Sequence, residues 1–328
     1  MMKTAPILVL ILLFMHSACA QQRVYDHAVT VQSDNDNFAG HLKDGYYTNG
    51  LLIRYSYLPR HFKTHSPVIK ATSWYSIGQQ IFTSESIDDE FLFMIDRPFS
   101  AYLYLQKGYQ LFYKNGRALK LSISAGLTGK GAGGKQVQNT FHDIMKLIHT
   151  RGWDYQLRTA AAISAEAEGF SIAGKQKKTG PATHFYYQVR TGSVFDDLTA
   201  GVLMRFGKKQ PLVSSCFTEA NLGADAPSRE IFFYLWPRLR YQVYNATVQG
   251  GLFMNDKGPF TAPLQHGQWI AESGFCVSGK QQSFTLAITA QAREARTMRH
   301  NMVFGSVAYR HLLHIRRKGV TSPLHSAD

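Results

Sequence analysis

The sequence contains few acidic residues, few cysteines and, after residue 20, no long apolar run. Of its 328 residues, 22 are Asp or Glu against 36 Lys or Arg, which gives a formal net charge of +14. Its three cysteines are too few for a disulfide scaffold. No later stretch approaches the roughly 18 apolar residues of a membrane helix. No GxSxG, P-loop, HExxH or CxxC motif occurs, which excludes several large classes of enzyme.

The composition is instead rich in aromatic residues and glycine. Hydrophobic residues make up 45% of the chain, aromatic residues 13%, and there are 27 glycines. This apolar content is enough to bury a core, so the chain is not predominantly disordered. Many aromatic residues and glycines with few charges favour strands and turns over helical bundles.

Residues 1–20 are typical of a cleaved secretory signal peptide. Lys3 precedes an apolar run at 5–15, and small residues then lead to Ala20, as at a signal-peptidase site. Cleavage there would leave Cys216 and Cys276, which could pair in an oxidising compartment, although the sequence does not decide this. A lipoprotein acylated at Cys19 is the less favoured alternative, because the apolar residue expected three positions earlier is missing.

Alternation of apolar and polar residues is the strongest pattern in the chain. It is clearest at 119–127, 201–207 and 284–292. Weaker strand patterns lie at 27–34, 46–58, 69–83, 99–114, 155–166, 170–175, 182–192, 229–241, 241–252, 267–278 and 301–312. Together they predict an all-β chain, namely a transmembrane antiparallel β-barrel of about 12 strands within residues 21–312.

Strand length and aromatic placement distinguish this barrel from a soluble pair of sandwiched sheets. Many of the patterns run for about ten residues or more, whereas sandwich strands have about five or six. Aromatic residues near the predicted strand ends are typical of the girdles at a membrane interface. They are Tyr46, Tyr47, Trp74, Tyr113, Trp153, Tyr244 and Trp269. From pattern alone the soluble sandwich stays open.

One segment interrupts the strands. At 136–148, apolar residues recur every three or four positions, which predicts a short helix inserted in a loop. Gln138 and His142 are four residues apart and therefore lie on the same side of this helix. A His on a helix is more often structural than catalytic. Beside an acidic cluster that binds a metal ion, however, it would suit a hydrolase in which the His is the general base.

Four consecutive Asp or Asn residues at 34–37 have two interpretations. Such a run is usually a turn, because these side chains bond to their own backbone. The alternative is a Ca²⁺ site built from carboxylate and amide oxygens. In a regular strand Asn35 and Asp36 would point to opposite faces, so a shared site requires an irregular backbone. A second polar cluster, at 46–50, contains Thr48.

Four segments, in this order, resemble the motifs of the outer-membrane lipid A 3′-O-deacylase (LpxR-type) family. They are VTVQSDNDNF at 29–38, DGYYTNG at 44–50, DRPFSAYLY at 96–104 and GKQVQNTFH at 134–142. The C-terminal half resembles the family more loosely, at 191–195 and 201–207. The resemblance implies a twelve-stranded outer-membrane barrel with its active site near the outer rim, between the wall and a loop helix.

The resemblance also implies the chemistry, which is Ca²⁺-dependent hydrolysis of the ester that links the 3′ acyloxyacyl group to lipid A. It places the family's Asn–Asp pair on Asn35 and Asp36. Asp36, with Asn35, would bind or orient Ca²⁺, and this ion would polarise the ester carbonyl. It places the catalytic base on His142. Thr48 and Gln138 would orient the site through hydrogen bonds.

The expected substrate is lipid A, or the lipopolysaccharide that carries it, in an outer membrane of the Gram-negative type. Outer-membrane lipids would surround a monomeric chain, nucleic acid is not expected as a partner, and basic loops would attract the lipid A phosphates. Two departures from the family are Asp88–Asp89, where a Lys is expected, and a basic tail at 313–328. Two other classes stay open: a non-catalytic outer-membrane channel or structural barrel, and a secreted carbohydrate-binding sandwich.

Overall fold

The computed structural model describes residues 25–40, 45–60, 62, 67–85, 91–146, 149–173, 180–223 and 228–314. The predicted signal peptide, Asp88–Asp89 and nearly all of the predicted tail lie outside these ranges. Twelve antiparallel strands form one closed barrel, which confirms the predicted fold class. Their bounds are β1 His27–Asn35, β2 Tyr47–Tyr57, β3 Val68–Phe82, β4 Ser100–Tyr113, β5 Ala118–Thr128, β6 Ala160–Ile172, β7 Ala182–Gly192, β8 Phe195–Lys208, β9 Glu230–Asn245, β10 Gly267–Ser278, β11 Gln282–Gln291 and β12 Met302–Leu313.

The barrel closes where β12 returns to β1. Asn35, the last residue of β1, pairs with Gly305 of β12 on one side and with Asn49 of β2 on the other. Closure leaves no strand edge unpaired. Since every strand is antiparallel to its neighbours, all odd-numbered strands end at the same rim as Asn35. We call this end the site rim and the opposite end the far rim.

Alternation along the strands separates an apolar outer face from a polar interior. The outer face carries exposed aliphatic residues at successive outward positions, among them Leu51, Ile53, Ile77, Leu105, Ile123, Ile163, Val189, Leu198 and Leu239. The interior carries charged pairs, such as Lys120 with Glu168 and Arg238 with Glu272. An apolar belt around a polar interior is the pattern of a barrel surrounded by lipid. Among the residues that the structure describes, no helix is long and apolar enough to cross a membrane.

In the described part of the chain two α-helices interrupt the strands, α1 at Gly134–Met145 and α2 at Ala246–Gln249. The first confirms the predicted loop helix, although it begins two residues earlier than the predicted 136–148. The backbone enters α1 through Gly133, whose positive φ of 72° favours glycine. Helix α2 was not predicted, because the sequence pattern at 241–252 indicates a strand.

Two strand boundaries were predicted wrongly. The patterns at 155–166 and 170–175 belong to one strand, β6, and those at 229–241 and 241–252 contribute to one strand, β9. Glu166, Glu168 and Gly169 in β6 look like a break in the sequence. In the structure Glu168 pairs with Lys120 inside the barrel, where charged side chains are ordinary.

The predicted aromatic girdle is wrong for most of its members. Trp74, for example, points into the barrel, where a Cβ on Gly108 would collide with its ring. Tyr46, Tyr47, Trp153 and Tyr244 are likewise buried. Only Trp269 of the seven residues has a strongly exposed outer ring, with 42% exposure. Sequence position gives the height of a residue in the barrel but does not say which face it occupies.

The connection between β8 and β9 folds into the far mouth of the barrel. Its buried residues pack against inward residues of strands around the barrel: Leu212 and Cys216 against Phe232 and Tyr234, Ala220 against Phe112, and Leu222 against Ala28 and Leu312. Lys70 of β3 also donates to the carbonyl of Ala220. The connection therefore fills the far mouth, and we call residues 209–223 the plug.

Candidate functional site at the site rim

The backbone turns sharply where β1 ends. Asn35 is still extended, with φ −157° and ψ 140°, whereas Asp36 begins a 3-10 turn, Asp36–Ala39. The side-chain oxygen of Asn35 caps this turn by accepting the N–H of Asn37 at 2.8 Å. The irregular backbone that a shared Asn35–Asp36 site requires is therefore present.

The Asp36 carboxylate is buried and held by backbone donors. Its Oδ1 accepts the N–H of Asn37 at 2.9 Å, and its Oδ2 accepts the N–H of Gly45 at 2.7 Å. The side chain thus ties the start of the β1–β2 loop to its end. Asp36 organises the turn as the structural interpretation predicts, and it also supplies a fixed buried negative charge at the rim.

Thr48 and Asn49 complete the polar cluster from the start of β2. The Nδ2 of Asn35 donates to Oδ1 of Asn49 at 2.6 Å. The hydroxyl of Thr48 lies 2.8 Å from the hydroxyl of Thr83, and both residues are fully buried. A register shift in the β2–β3 pairing between Tyr47 and Asn49 makes this placement possible.

Helix α1 buries its polar side and exposes its apolar side. Gln138 is 0% exposed and His142 is 2% exposed. On the same helix Val137, Phe141 and Ile144 are 48%, 42% and 73% exposed. In a water-soluble protein the apolar side of a surface helix faces the core. The reversed arrangement places this helix with its apolar back toward lipid and its polar side toward the barrel.

Contacts at both ends of the polar side hold α1 against the outer wall. The Nε2 of Gln79, on β3, donates to the carbonyl of Ala132 at 2.7 Å, just before the helix. Trp153, in the segment that follows the helix, donates its indole N–H to Oε1 of Gln138 at 2.8 Å. The helix packs on β3 and β4, and β3 adjoins β2, which carries Thr48.

The structure thus places all five predicted site residues at one rim and buries all of them. Asn35, Asp36 and Thr48 lie together at the ends of β1 and β2. Gln138 and His142 lie on the wall-facing side of α1, over the neighbouring strands. The predicted pairing of Gln138 and His142 on one side of the helix is confirmed by their shared burial.

Tyr46 and Asp96 are rim residues that the sequence interpretation did not assign. The hydroxyl of Tyr46 donates to Oδ2 of Asp96 at 2.6 Å, and the hydroxyl of Ser84 donates to the other oxygen at 2.8 Å. Burial, together with the Asp96 carboxylate, raises the pKa of Tyr46, so the phenol stays a donor. Tyr46 lies in the segment at 44–50 and Asp96 in the segment at 96–104. Both segments resemble family motifs, and this was the feature of the sequence that could have drawn attention to the two residues.

Arg97 joins further rim loops from a fully buried position. Its Nη2 donates to Oε2 of Glu294 at 2.7 Å and to the hydroxyl of Thr247 at 2.9 Å. Its guanidinium also lies 4.2 Å from the ring centre of Phe82. A buried cation with a buried partner fixes the geometry of the loops it connects, because removing either charge would leave the other uncompensated.

The donor chemistry of the rim suits a hard cation. Within the described ranges, no group of three or more His, Cys, Asp and Glu side chains could hold a metal ion. A cation would therefore rest on the Asp36 carboxylate and on neutral oxygens, such as the amide oxygen of Asn35. Ca²⁺ accepts such a mixture of carboxylate, amide, carbonyl and water oxygens, whereas Zn²⁺ prefers nitrogen and sulfur ligands.

Comparison with known proteins gives a family and a solved structure of similar fold. The profile of the family described as outer membrane protein LpxR matches residues 7–312. LpxR from Salmonella typhimurium has a TM-score of 0.70 and 18% identity, over 87% of this chain and 100% of that chain.

Two autotransporter barrels are more distant in structure. The β domain of the Bordetella autotransporter BrkA has a TM-score of 0.44 and 10% identity, over 88% of this chain and 100% of that chain. The translocator domain of NalP from Neisseria meningitidis has a TM-score of 0.41 and 11% identity, over 91% and 90%. These two similarities are too low to support a functional argument. No curated protein matches the chain.

Proposed function

The chain belongs to the outer membrane protein LpxR family, and from this premise we propose that it is a Ca²⁺-dependent esterase that removes the 3′-linked acyloxyacyl group from lipid A. Family membership itself makes it an outer-membrane lipid A deacylase. The metal, the ester that is cleaved and the residues that act belong to the proposal.

The reversed orientation of α1 is the observation that carries this proposal. A lipid in the membrane approaches a barrel from the side and has no route through its interior. The polar residues Gln138 and His142 lie outside the wall, beneath a helix whose exposed side is apolar. This arrangement supports a reaction site that a lipid ester reaches laterally.

His142 is the proposed general base. A neutral imidazole can accept a proton from water as the water attacks the ester carbonyl carbon, and then donate it to the departing sugar oxygen. Gln138 acts as a positioning residue through its bond to Trp153. The Thr48 hydroxyl, fixed by Thr83, would orient the ester.

Asp36 and Asn35 are the residues that would hold Ca²⁺. When bound, this ion supplies positive charge where negative charge develops on the ester oxygen. The Asp36 carboxylate is already fixed by two backbone N–H groups, so its position does not depend on the ion. The site draws all of its residues from one closed barrel, which supports a monomer among outer-membrane lipids.

Replacing His142 with alanine tests the proposal. A general base contributes about 10²–10⁴-fold, so His142→Ala should remove detectable deacylation. Alanine is the better helix former, so α1 should survive. The measurement is mass spectrometry of lipid A from cells that express parent or variant, with heat-modifiable migration on gels as the check on barrel folding.

His149→Ala is the matched control, because His149 follows the same helix but is exposed. This control should deacylate like the parent. Deacylation at the parental rate by folded His142→Ala protein would refute the mechanism, and the non-catalytic barrel would become the better proposal.

A further inference from the structure

Two cysteines meet at the far rim, away from the site. Cys216 lies in the plug and Cys276 lies near the far end of β10, and both are buried. Their sulfur atoms are 3.3 Å apart. They are 60 residues apart in sequence, so this contact joins two separate parts of the chain.

We propose that Cys216 and Cys276 form a disulfide in the exported protein, and that this bond ties the plug to the barrel wall. A disulfide needs a sulfur–sulfur distance of about 2.05 Å, so the two atoms must approach by roughly 1.2 Å.

Hydrogen bonds to one residue of β9 hold the backbone next to Cys216 in place. Glu230, the first residue of β9, accepts the N–H of Cys216 on Oε1 at 2.7 Å. Its Oε2 accepts the hydroxyl of Ser215 at 2.8 Å and the N–H of Gln210 at 2.9 Å. One buried side chain thus bonds to three residues of the plug and keeps the Cys216 thiol against β10.

The oxidation balances with a disulfide-bonded thiol oxidoreductase as the oxidant. The two thiols together lose two protons and two electrons as the S–S bond forms. The electrons reduce the disulfide of the oxidoreductase to two thiols through a mixed disulfide. Outer-membrane proteins pass through an oxidising compartment, where such oxidants are present.

Burial determines when this exchange takes place. Both thiols are buried in the folded barrel, and exchange requires an accessible thiolate. The bond therefore forms before the plug closes, while the chain is still exposed to the oxidoreductase.

The direct test uses the full chain isolated from outer membranes, denatured without reductant in the presence of N-ethylmaleimide and digested for mass spectrometry. A linked pair of peptides containing Cys216 and Cys276 is expected, and it should disappear after reduction. This readout does not depend on lipid A deacylation. Recovery of both peptides alkylated without prior reduction would overturn the proposal.

Serine variants test whether the bond restrains the plug. Cys216→Ser, Cys276→Ser and the double variant should each show proteolysis within 209–223 that is faster by about tenfold or more, as expected when a disulfide is lost. Because one bond needs both sulfurs, each single variant should equal the double variant. Additive effects of the two single variants would show that the thiols only pack, and would contradict the proposal. Deacylation should be unchanged, since the plug lies at the opposite rim from His142.

Discussion

At the scale of single residues, Glu219 of the plug is bound by two arginines and one serine. Its carboxylate bonds to Arg54 at 3.0 Å, to Ser56 at 3.0 Å and to Arg310 at 3.2 Å. Its backbone has a positive φ of 60°, which is unusual for a residue with a side chain. Burial alone would raise the pKa of Glu219, but the charges of Arg310 and Arg54 outweigh burial and lower this pKa to about 2.

This pKa predicts that the plug loosens in acid. The folded-state pKa of Glu219 lies below the unfolded value of 4.5. The contribution of its carboxylate, about 3 kcal/mol in order of magnitude, is therefore complete above pH 4.5 and is lost as pH falls toward 2. Glu219→Gln should remove it at neutral pH. Hydrogen exchange of 209–223 in parent and variant, at neutral and acidic pH, measures the effect.

The matched control for this prediction is Asp256→Asn, because Asp256 is exposed and lies in a loop at the site rim. The control should leave exchange in the plug unchanged. If the protection factors of the parental plug amides, corrected for the intrinsic exchange rate, were the same at pH 7 and pH 3, or if Glu219→Gln were protected like the parent, the ion pairs would not be what holds the plug.

A second prediction at this scale concerns the proposed calcium site. Asp36→Asn should raise the Ca²⁺ concentration needed for half-maximal deacylation by about tenfold or more, because it removes the one carboxylate of the cluster. Asp34→Asn is the control, since Asp34 points inward and bonds to Tyr47. An Asp36 variant that titrates like the parent would leave Asp36 as a turn residue alone.

The family resemblance supplied the candidate residues of this site, and local spacing predicted how those on the turn and on the helix are arranged. The spacing of Gln138 and His142 predicted their common side, and a site shared by Asn35 and Asp36 required the irregular backbone that begins at Asp36. The bond between Tyr46 and Asp96 could not be predicted, because 50 residues separate its partners. Only the barrel brings their loops together.

At the scale of elements, the bond between Trp153 and Gln138 ties the buried side of α1 to a residue that packs on the wall. Trp153→Phe should leave the Oε1 of Gln138 without its indole donor, at a cost of about 1–3 kcal/mol. The helix should then exchange its amide hydrogens faster and deacylation should fall, whereas the barrel should keep its stability. Hydrogen exchange of 134–145 in lipid nanodiscs, paired with an activity assay, measures both effects.

Trp269→Phe is the control, because Trp269 lies on the outer wall of β10, away from the helix. The hydrogen exchange of residues 134–145 in the Trp269→Phe variant should match that of the parent. A Trp153→Phe variant with parental exchange and parental activity would show that Gln138 does not position the helix.

Strand boundaries were harder to predict than strand existence for a reason specific to barrels. In a water-soluble protein the buried face of a strand is apolar and the exposed face is polar. A barrel strand reverses this pattern, since its outer face is apolar and the interior is polar. Charged residues such as Glu166 and Glu168 therefore occur within β6, where a sequence pattern indicates an interruption. Pro237, within β9, similarly suggests a break that the structure does not contain.

At the scale of the whole molecule, the plug decides between an enzyme and a channel. Residues 209–223 pack against strands around the far mouth, so side chains of the plug occupy the far end of the interior. We expect the protein in planar bilayers to conduct little. Deletion of residues 211–222 should give stable open-channel currents. Steady currents of pore size from the intact chain would favour the channel alternative.

The plug itself was not predicted, because it has no periodic pattern. The length of the β8–β9 connection could have indicated a segment with its own packing, since the connections at 114–117 and 193–194 are only short turns. Its apolar residues Leu212, Ala220 and Leu222 are spaced too irregularly to indicate a strand or a helix. Their burial depends on residues from six or more strands, and these meet only when the barrel closes.

The reversed helix α1 also determines how the proposed reaction would be supplied. A site that opens sideways under a lipid-facing helix meets its substrate by diffusion in two dimensions, within one leaflet. Its rate should follow the mole fraction of substrate in that leaflet. Adding more bilayer of the same composition should leave the rate per enzyme unchanged, whereas diluting the substrate with inert lipid should slow it. The released fatty acid would then enter the same leaflet, where it changes the packing of the surface that supplies the next substrate.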